Sequence, residues 1–291
     1  MSAQRVLNVG LQRGPFVGGA GALHLSNDSA VGSFSGASMT IDGNNYKLTG
    51  TFSANNVTAS QDNSVCPSGT CPRPAISTRN DAVTSQIITA LAGQGTIIGL
   101  GSSPSVMTTA SASTTDLVRF AQDILAANGA PNGCNESHGN NDYWIPGPSP
   151  RGVHCVPVTK GNQGQGQNYN DFWGDINSEN VTYVGDTNAK IQGGSYGAGV
   201  LIFAGNVTFG GNFSFCGWVL FTNPSANGIN VGGNPTIYGE VLSPLLAFGS
   251  NGGITIRYSQ QCLSRADAAD PTYNTTGNLP HPLLITSWTE P

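Results

Sequence analysis

An eleven-residue motif occurs twice in the C-terminal third of the chain, and it constrains the fold more than any other feature. The copies are 207–217 (VTFGGNFSFCG) and 229–239 (INVGGNPTIYG), offset by 22 residues. A third copy with one extra residue lies far upstream, at 39–50 (MTIDGNNYKLTG). Alternating apolar and polar side chains predict short strands, and the Gly-Gly-Asn and closing Gly predict turns. A period near twenty residues with several strands per period is typical of a β-solenoid.

The repeat therefore predicts a mainly β fold with a right-handed β-helix, or solenoid, as its core. Asn212 and Asn234 occupy the same turn, where stacked amides can hydrogen-bond in a ladder. Four glycines are expected to take positive φ at the corners: Gly211, Gly217, Gly233 and Gly239. The alternative is an ordinary β-sandwich or meander with Gly-Asn hairpin turns.

The middle of the chain has a different periodicity. Residues 80–92 and 114–128 place apolar side chains at helical spacing, with Asn80 or Thr78 capping the first helix and Thr114 or Thr115 the second. Residues 130–172 are rich in Gly, Asn, Pro and Gln and predict a long loop. We therefore expect a single domain, 1–291. Its segments 20–60 and 180–260 form one solenoid, and 61–179 is an insertion with two helices and a disulfide-tied loop.

Charge is scarce along the whole chain, and this excludes several functions. Only 11 Lys+Arg and 16 Asp+Glu occur among 291 residues, and the net charge is −5. A nucleic-acid partner needs a basic footprint, which is missing. No apolar run reaches the roughly 18 residues of a membrane span. Few acids or bases remain for chemistry, and we expect no enzyme, no catalytic residue, no metal site and no cofactor.

The six cysteines form an even set, which favours disulfide bonds. Their spacing favours pairing of neighbours: Cys66–Cys71, Cys134–Cys155 and Cys216–Cys262. Disulfides persist in oxidising compartments, so this interpretation places the protein outside the cytoplasm. Two alternatives stay open: a zinc site made by Cys134, His138, His154 and Cys155, or buried reduced thiols.

One cluster in the long loop region combines acids with aromatic side chains. Asp171 and Asp175 flank Trp173, and Tyr143 and Trp144 precede them in the same region. Aromatic rings among polar residues are typical of carbohydrate or protein contact, so these five are the candidate ligand contacts. The alternatives are a polar loop whose Trp173 covers the end of the core, and a calcium site at the two aspartates.

The C-terminal strands resemble a known family. Residues 197–220 (GAGVLIFAGNVTFGGNFSFCGWVL) and 233–242 (GNPTIYGEVL) resemble the C-terminal signature of PilX-like type IV pilus-associated proteins. The stretches 39–46 (MTIDGNNY) and 74–83 (PAISTRNDAV) are similar to its earlier motifs. The resemblance spans about residues 15–260. It does not include the family's hydrophobic N-terminal pilin-type helix, of which residues 4–7 are expected to be the frayed end.

The resemblance implies a surface-exposed head domain with a structural or adhesive role and no catalytic motif. We therefore expect an extracellular or cell-surface protein, pilus-associated, with pilus or cell-surface components as partners. End-to-end self-association and contact with a glycan are further expected partners. The alternative is a carbohydrate-binding or carbohydrate-cleaving β-helix protein that uses Asp171 and Asp175.

Overall fold

Parallel strands make up most of the folded chain. The computed structural model describes residues 8–13, 20–28, 34–35, 38–53, 56–66, 71–91, 93–109, 112–127, 143–146, 155–158, 180–184, 188–191, 195–223, 228–244, 247–250, 252–269 and 283–289. The described strands are, in chain order, β1 (Asn8–Arg13), β2 (Leu23–Leu25), β3 (Phe34–Ser35), β4 (Ser38–Asp42), β5 (Tyr46–Phe52), β6 (Val57–Gln61), β7 (Ile76–Thr78), β8 (Thr96–Ile98), β9 (Val106–Thr108), β10 (Tyr143–Pro146), β11 (Cys155–Val158), β12 (Asn180–Val184), β13 (Asn188–Ile191), β14 (Ser195–Phe203), β15 (Asn206–Phe209), β16 (Phe213–Phe221), β17 (Gly228–Val231), β18 (Thr236–Ser243), β19 (Ala247–Ser250), β20 (Gly253–Arg257) and β21 (Leu283–Thr289). The helices among these residues are α1 (Asp81–Ala90), α2 (Thr114–Ala127) and α3 (Gln260–Ala269), with a short 3₁₀ turn at Asn63–Val65.

Two sheets hold most of these strands. The large sheet has twelve described strands, with the main order β11-β10-β12-β14-β16-β18-β2-β7-β9. A second arm, β20-β4-β8, branches from β18. All strand pairs of the large sheet are parallel, except those that β10 makes with β11 and with β12. The small sheet, β13-β15-β17-β19-β3, is parallel throughout, and β1 with β21 and β5 with β6 form separate antiparallel pairs.

The two closest copies of the repeat lie side by side in register. Phe215 pairs with Ile237 in the large sheet, and Val207 pairs with Ile229 in the small sheet. Each copy therefore contributes one strand to each sheet. The upstream copy contributes β4, which lies in the second arm beside β20.

The predicted β-helix is nevertheless wrong, because the described sheets do not form a closed or solenoid arrangement. The large sheet forks at β18, where residues 236–238 pair with β20 and residues 241–243 pair with β2. Three described helices accompany this largely parallel sheet, and the fold is mixed and α/β-like. The repeat reports only on the neighbouring strands that carry it. It contains no information about the fork or about α3, which follows β20 and contacts β14, β16 and β18.

The central strand of the large sheet is buried on both faces. All nine residues of β16 are buried, which is typical of a parallel strand covered on each side. Phe213 and Phe215 lie in the main core on one face. Cys216 lies in a second cluster on the other face, together with Tyr238 and with Cys262 of α3.

Both helices expected between the strand segments are present, and their caps are made by side chains. Asn80 accepts a hydrogen bond from the amide of Val83 at 2.9 Å and caps α1, as expected. Ser113, rather than a threonine, caps α2. Its hydroxyl accepts from the amide of Asp116 at 3.1 Å, and that carboxylate accepts from the Ser113 amide at 3.0 Å. This reciprocal pair is a capping box with Asp in place of Glu.

Two of the expected disulfides are confirmed. Cys66 bonds to Cys71 within a loop, and Cys216 of β16 bonds to Cys262 of α3. The second bond ties the helix to the centre of the large sheet. These bonds agree with an oxidising compartment. Within the part of the chain that the structure describes, no helix is both long and apolar enough to span a bilayer.

A column of three glycines crosses the large sheet at one register level. Gly199, Gly217 and Gly239 pair in sequence, with φ of 116°, 144° and 134°. A Cβ on Gly217 would lie 1.9 Å from the carbonyl oxygen of Gly199. The expected positive φ is therefore confirmed at Gly217 and Gly239. The expectation of positive φ is wrong at Gly211 and Gly233. Gly233 is instead required by close approach, because a Cβ there would lie 2.0 Å from the Gly211 oxygen.

Candidate functional site: a polar groove across parallel strands

A row of hydroxyl side chains crosses five adjacent strands of the large sheet. Each member is the register partner of the next, in the order Ser214, Thr236, Thr255, Thr40 and Thr96. We call this set the hydroxyl row. Parallel strands lie about 4.8 Å apart, so the row extends over about 19 Å. The neighbouring residue on four of these strands is a buried isoleucine, which fixes the row on the opposite, outer face: Ile237, Ile256, Ile41 and Ile97.

Two adjoining cavities follow this row, and together they form the groove. Their volumes are about 490 and 400 Å³, within the range of small-ligand sites. Asn234 and Thr255 line both cavities, which makes the depression continuous. Asn212 lines it on the β16 side, and Asn56 and Val57 of the β5–β6 hairpin add a wall.

One side of the groove contains an arginine held between two tyrosines. The guanidinium carbon of Arg257 lies 4.7 Å from the ring centroid of Tyr46 and 5.8 Å from that of Tyr238. Its Nη1 donates to the Tyr238 hydroxyl at 3.0 Å. Its Nε is buried and has no hydrogen-bond partner among the described residues. The cation–π contacts fix the guanidinium plane at the groove wall.

An aspartate balances this arginine from the neighbouring strand. Asp42 is the register partner of Arg257 and accepts a hydrogen bond from the Tyr46 hydroxyl at 2.7 Å. Burial, with the hydrogen bond to Asp42 and its charge, raises the pKa of Tyr46 to about 12. The Asn44 amide and side chain also donate to Asp42, at 2.9 and 2.8 Å. This side of the groove therefore has a cation and an anion on adjacent strands, and Tyr46 keeps its proton.

A second ionisable cluster is fully inside the protein. Glu240 is 1% exposed, and burial raises the pKa of its carboxyl well above the usual range, while the charge of Arg73 opposes this shift. Burial also raises the pKa of Tyr258, over whose ring the Arg73 guanidinium lies at 5.7 Å. Glu240 Oε1 and Arg73 Nε are buried and have no hydrogen-bond partner within the described part of the chain. This cluster belongs to the interior, and Glu240 lines neither cavity of the groove.

The described histidine is held in its neutral form. His24 Nε2 lies 2.9 Å from the carbonyl oxygen of Ala112, which can only accept, so Nε2 carries the proton. Nδ1 therefore accepts from the Ser77 hydroxyl at 2.9 Å. Burial lowers the pKa of His24. Both ring nitrogens are engaged inside the core, so His24 is a structural histidine.

Of the residues predicted as ligand contacts, the structure describes the strand positions of two. Tyr143 and Trp144 lie in β10, where Trp144 is the register partner of Tyr183. Three strands, β12, β14 and β16, separate β10 from β18 in the sheet. The other predicted contacts and one predicted disulfide partner lie outside the described residues: Asp171, Trp173, Asp175 and Cys134. Cys155, the expected partner of Cys134, begins β11.

Sequence reasoning missed the groove residues, although two of them have a visible signal. Ser214 and Thr236 are the same polar position of the two repeat copies, eight residues into the motif. Their alignment could have predicted adjacent hydroxyls. Nothing in the sequence aligns Thr40, Thr96 and Thr255 with them, because that register depends on the fork of the sheet at β18.

Similarity to known proteins does not indicate what this groove binds. Comparisons of the chain with protein-family models, with curated proteins and with solved structures found no match. Among the described residues, no group of three or more His, Cys, Asp or Glu could hold a metal ion. The character of the site therefore depends on its own side chains, which are hydroxyls, amides, one tyrosine and one arginine.

Proposed function

We propose that the chain is an extracellular or cell-surface domain with a structural and adhesive role, of the kind carried by a type IV pilus-associated head. The observation that supports this most is the disulfide between Cys216 and Cys262, buried at the centre of the sheet. A bond at this position is maintained in an oxidising compartment. Residues 197–220 and 233–242, which resemble PilX-like proteins, form β14 to β16 and most of β18, to which this bond is attached.

The positions of the ionisable groups support a role in binding partners rather than in acid–base catalysis. Glu240 and His24 are buried, and Asp42 is occupied by hydrogen bonds from its neighbours. These groups stabilise the interior and one side of the groove. The described lining of the groove consists mainly of hydroxyl and amide side chains, which bind without transferring protons.

Location and redox state test this proposal together. Cells of the native host are fractionated, and the chain in each fraction is denatured and treated with a maleimide reagent without prior reduction. We expect the chain in the surface or secreted fraction, with Cys216 and Cys262 unlabelled until a reductant is added. A cytosolic chain with both thiols labelled would overturn the proposal.

The proposed partners are pilus or cell-surface components, and a second copy of the chain through end-to-end association. The first is tested by cross-linking on intact cells followed by mass spectrometry, and pilus subunits are the expected products. The second is tested by sedimentation velocity over a hundredfold range of concentration. A sedimentation coefficient that does not change over this range would remove self-association from the proposal.

Carbohydrate binding is the second candidate function, and the polar groove favours it. For carbohydrate cleavage the proposed residues are still Asp171 and Asp175. Turnover of a glycan that disappears in Asp175→Asn would support cleavage, and unchanged turnover in that variant would remove those residues from it.

A further inference from the structure

We propose that the groove binds one strand of a linear neutral polysaccharide, which runs across the β-strands along the hydroxyl row. This names a partner class for the adhesive role proposed above and in that sense depends on it. The site itself is defined by the side chains of β16, β18, β20, β4 and β8, and its binding can be measured on the purified chain.

The first argument is the repeat distance of the row. Its members are register partners on successive parallel strands, so their spacing is the strand spacing of about 4.8 Å. One sugar ring of an extended polysaccharide advances the chain by nearly the same distance. Each hydroxyl of the row can both donate and accept a hydrogen bond. Ser214 is buried, but a linear glycan can meet Thr236, Thr255, Thr40 and Thr96 with successive rings.

The second argument is the shape and chemistry of the depression. Asn212 and Asn234 lie at equivalent positions of the two repeat copies and line the groove beside the row. Their amides have both donor and acceptor atoms, as sugar hydroxyls do. The hairpin residue Asn56 lines the groove as well. A strand laid against the row thus meets amide and hydroxyl groups over its length.

The third argument is charge, which favours a neutral ligand. Among the described lining residues Arg257 is the one charged side chain, and Asp42 on the adjacent strand balances it. A polysaccharide with a charge on every ring would find no matching row of opposite charges along this described lining. A neutral strand can follow the row without leaving buried charges unpaired.

The test is titration calorimetry of the purified, disulfide-intact chain with four neutral probes: cellohexaose, mannohexaose, xylohexaose and chitohexaose. We expect saturable one-to-one binding of at least one probe. Polymannuronate, which has a similar extended backbone but a carboxylate on each ring, should bind more weakly than the best neutral probe. Binding of none of the four neutral probes, or tighter binding of polymannuronate, would overturn the proposal.

The matched variants separate binding by the row from general effects of hydroxyl loss. Thr236→Val with Thr255→Val keeps the side-chain shape and the strand preference but removes two hydroxyls from the middle of the row. We expect about tenfold or greater loss of affinity, since each hydrogen bond contributes about a factor of five. Thr89→Val makes the same change at an exposed position of α1 that lines neither cavity of the groove, and should leave affinity unchanged.

A fold check accompanies these variants. The melting temperature and far-ultraviolet circular dichroism of both should match the wild type, because valine is well accepted on a strand face and has nearly the helix propensity of threonine. Wild-type affinity in the double threonine variant would show that the row has only a structural role and would overturn the inference. Surface location with intact disulfides but no sugar binding would remove this inference alone. Sugar binding by a chain found in the cytosol would remove the proposed function alone.

Discussion

Replacing Gly217 with alanine should destabilise the protein severely, and the structure allows the magnitude to be worked out. A Cβ at this position would lie 1.9 Å from the Gly199 carbonyl oxygen and 2.9 Å from its carbon, so the backbones of β14 and β16 must separate. Overpacking of this kind costs about 1–3 kcal/mol. The φ of +144° adds backbone strain of about 1–3 kcal/mol for a residue with a side chain. The expected loss is therefore about 2–6 kcal/mol, against a total of roughly 5–15 kcal/mol for a typical domain.

Urea denaturation followed by tryptophan fluorescence measures this loss, with two alanine variants as controls. Gly93 has φ of +75° and nothing within 4 Å of a new Cβ, so Gly93→Ala isolates the strain, at about 1–2 kcal/mol. Gly50 has an ordinary contact of 3.4 Å with Thr58, and Gly50→Ala should be neutral or slightly stabilising. If Gly217→Ala loses no more free energy of unfolding than Gly93→Ala, the close approach of the two strands does not exist and the register of the glycine column is wrong.

The remaining predictions concern the disulfide and the two buried ionisable groups. Replacing Cys216 and Cys262 together by alanine should lower the free energy of unfolding by about 4 kcal/mol in urea, because the bond closes a loop between residues 46 apart. Burial raises the pKa of folded Glu240, so the folded state keeps a proton that the unfolded chain releases above about pH 4.3. Stability due to this group therefore falls as the pH rises above that value. Glu240→Gln should be more stable than the wild type at pH 8, with the difference closing at pH 4, and an equal difference at both pH values would contradict the assignment. Burial lowers the pKa of His24, so its contribution is present above about pH 6.5 and is lost as the pH falls. His24→Asn should be less stable at pH 7, because the Ala112 carbonyl loses its donor, and should lack this acid-dependent step in urea titrations at pH 5 to 7.

Local elements could be predicted from the sequence because their signals are local. Apolar residues at helical spacing located α1, and Asn80 was recognised as its cap. The even number of cysteines and their spacing gave the pair Cys66–Cys71, whose partners are five residues apart, and the pair Cys216–Cys262. The cap of α2 was assigned wrongly to a threonine, because Ser113 and Asp116 form a reciprocal pair that a preference for Glu or Gln at the fourth position does not detect.

The fold class could not be derived from the repeat, because the repeat fixes neighbours but not the arrangement of the sheet. Two copies 22 residues apart are enough to place β16 beside β18. They do not indicate that β18 then meets two different strands, one from the N-terminal part of the chain and one from the C-terminal part. The pairing of β18 with β2 brings together residues more than 200 positions apart, such as Val241 and Leu23. Helix α3 was missed for a related reason: its apolar residues Leu263 and Ala266 are few, and its burial comes from the sheet that it covers.

The groove and the core depend on one another, because the same alternation produces both. In β20 the outward Thr255 lies between the buried Ile254 and Ile256, and in β4 the outward Thr40 lies between Met39 and Ile41. A slip of one residue between these strands would turn the threonines into the core and the isoleucines into the groove. Burying a hydroxyl without a partner costs about 1–3 kcal/mol, and several strands would incur that cost together. The apolar face thus fixes the register, and the register aligns the hydroxyls. The row consequently cannot drift out of line without loss of the core, which makes it a rigid surface for a partner with a matching repeat.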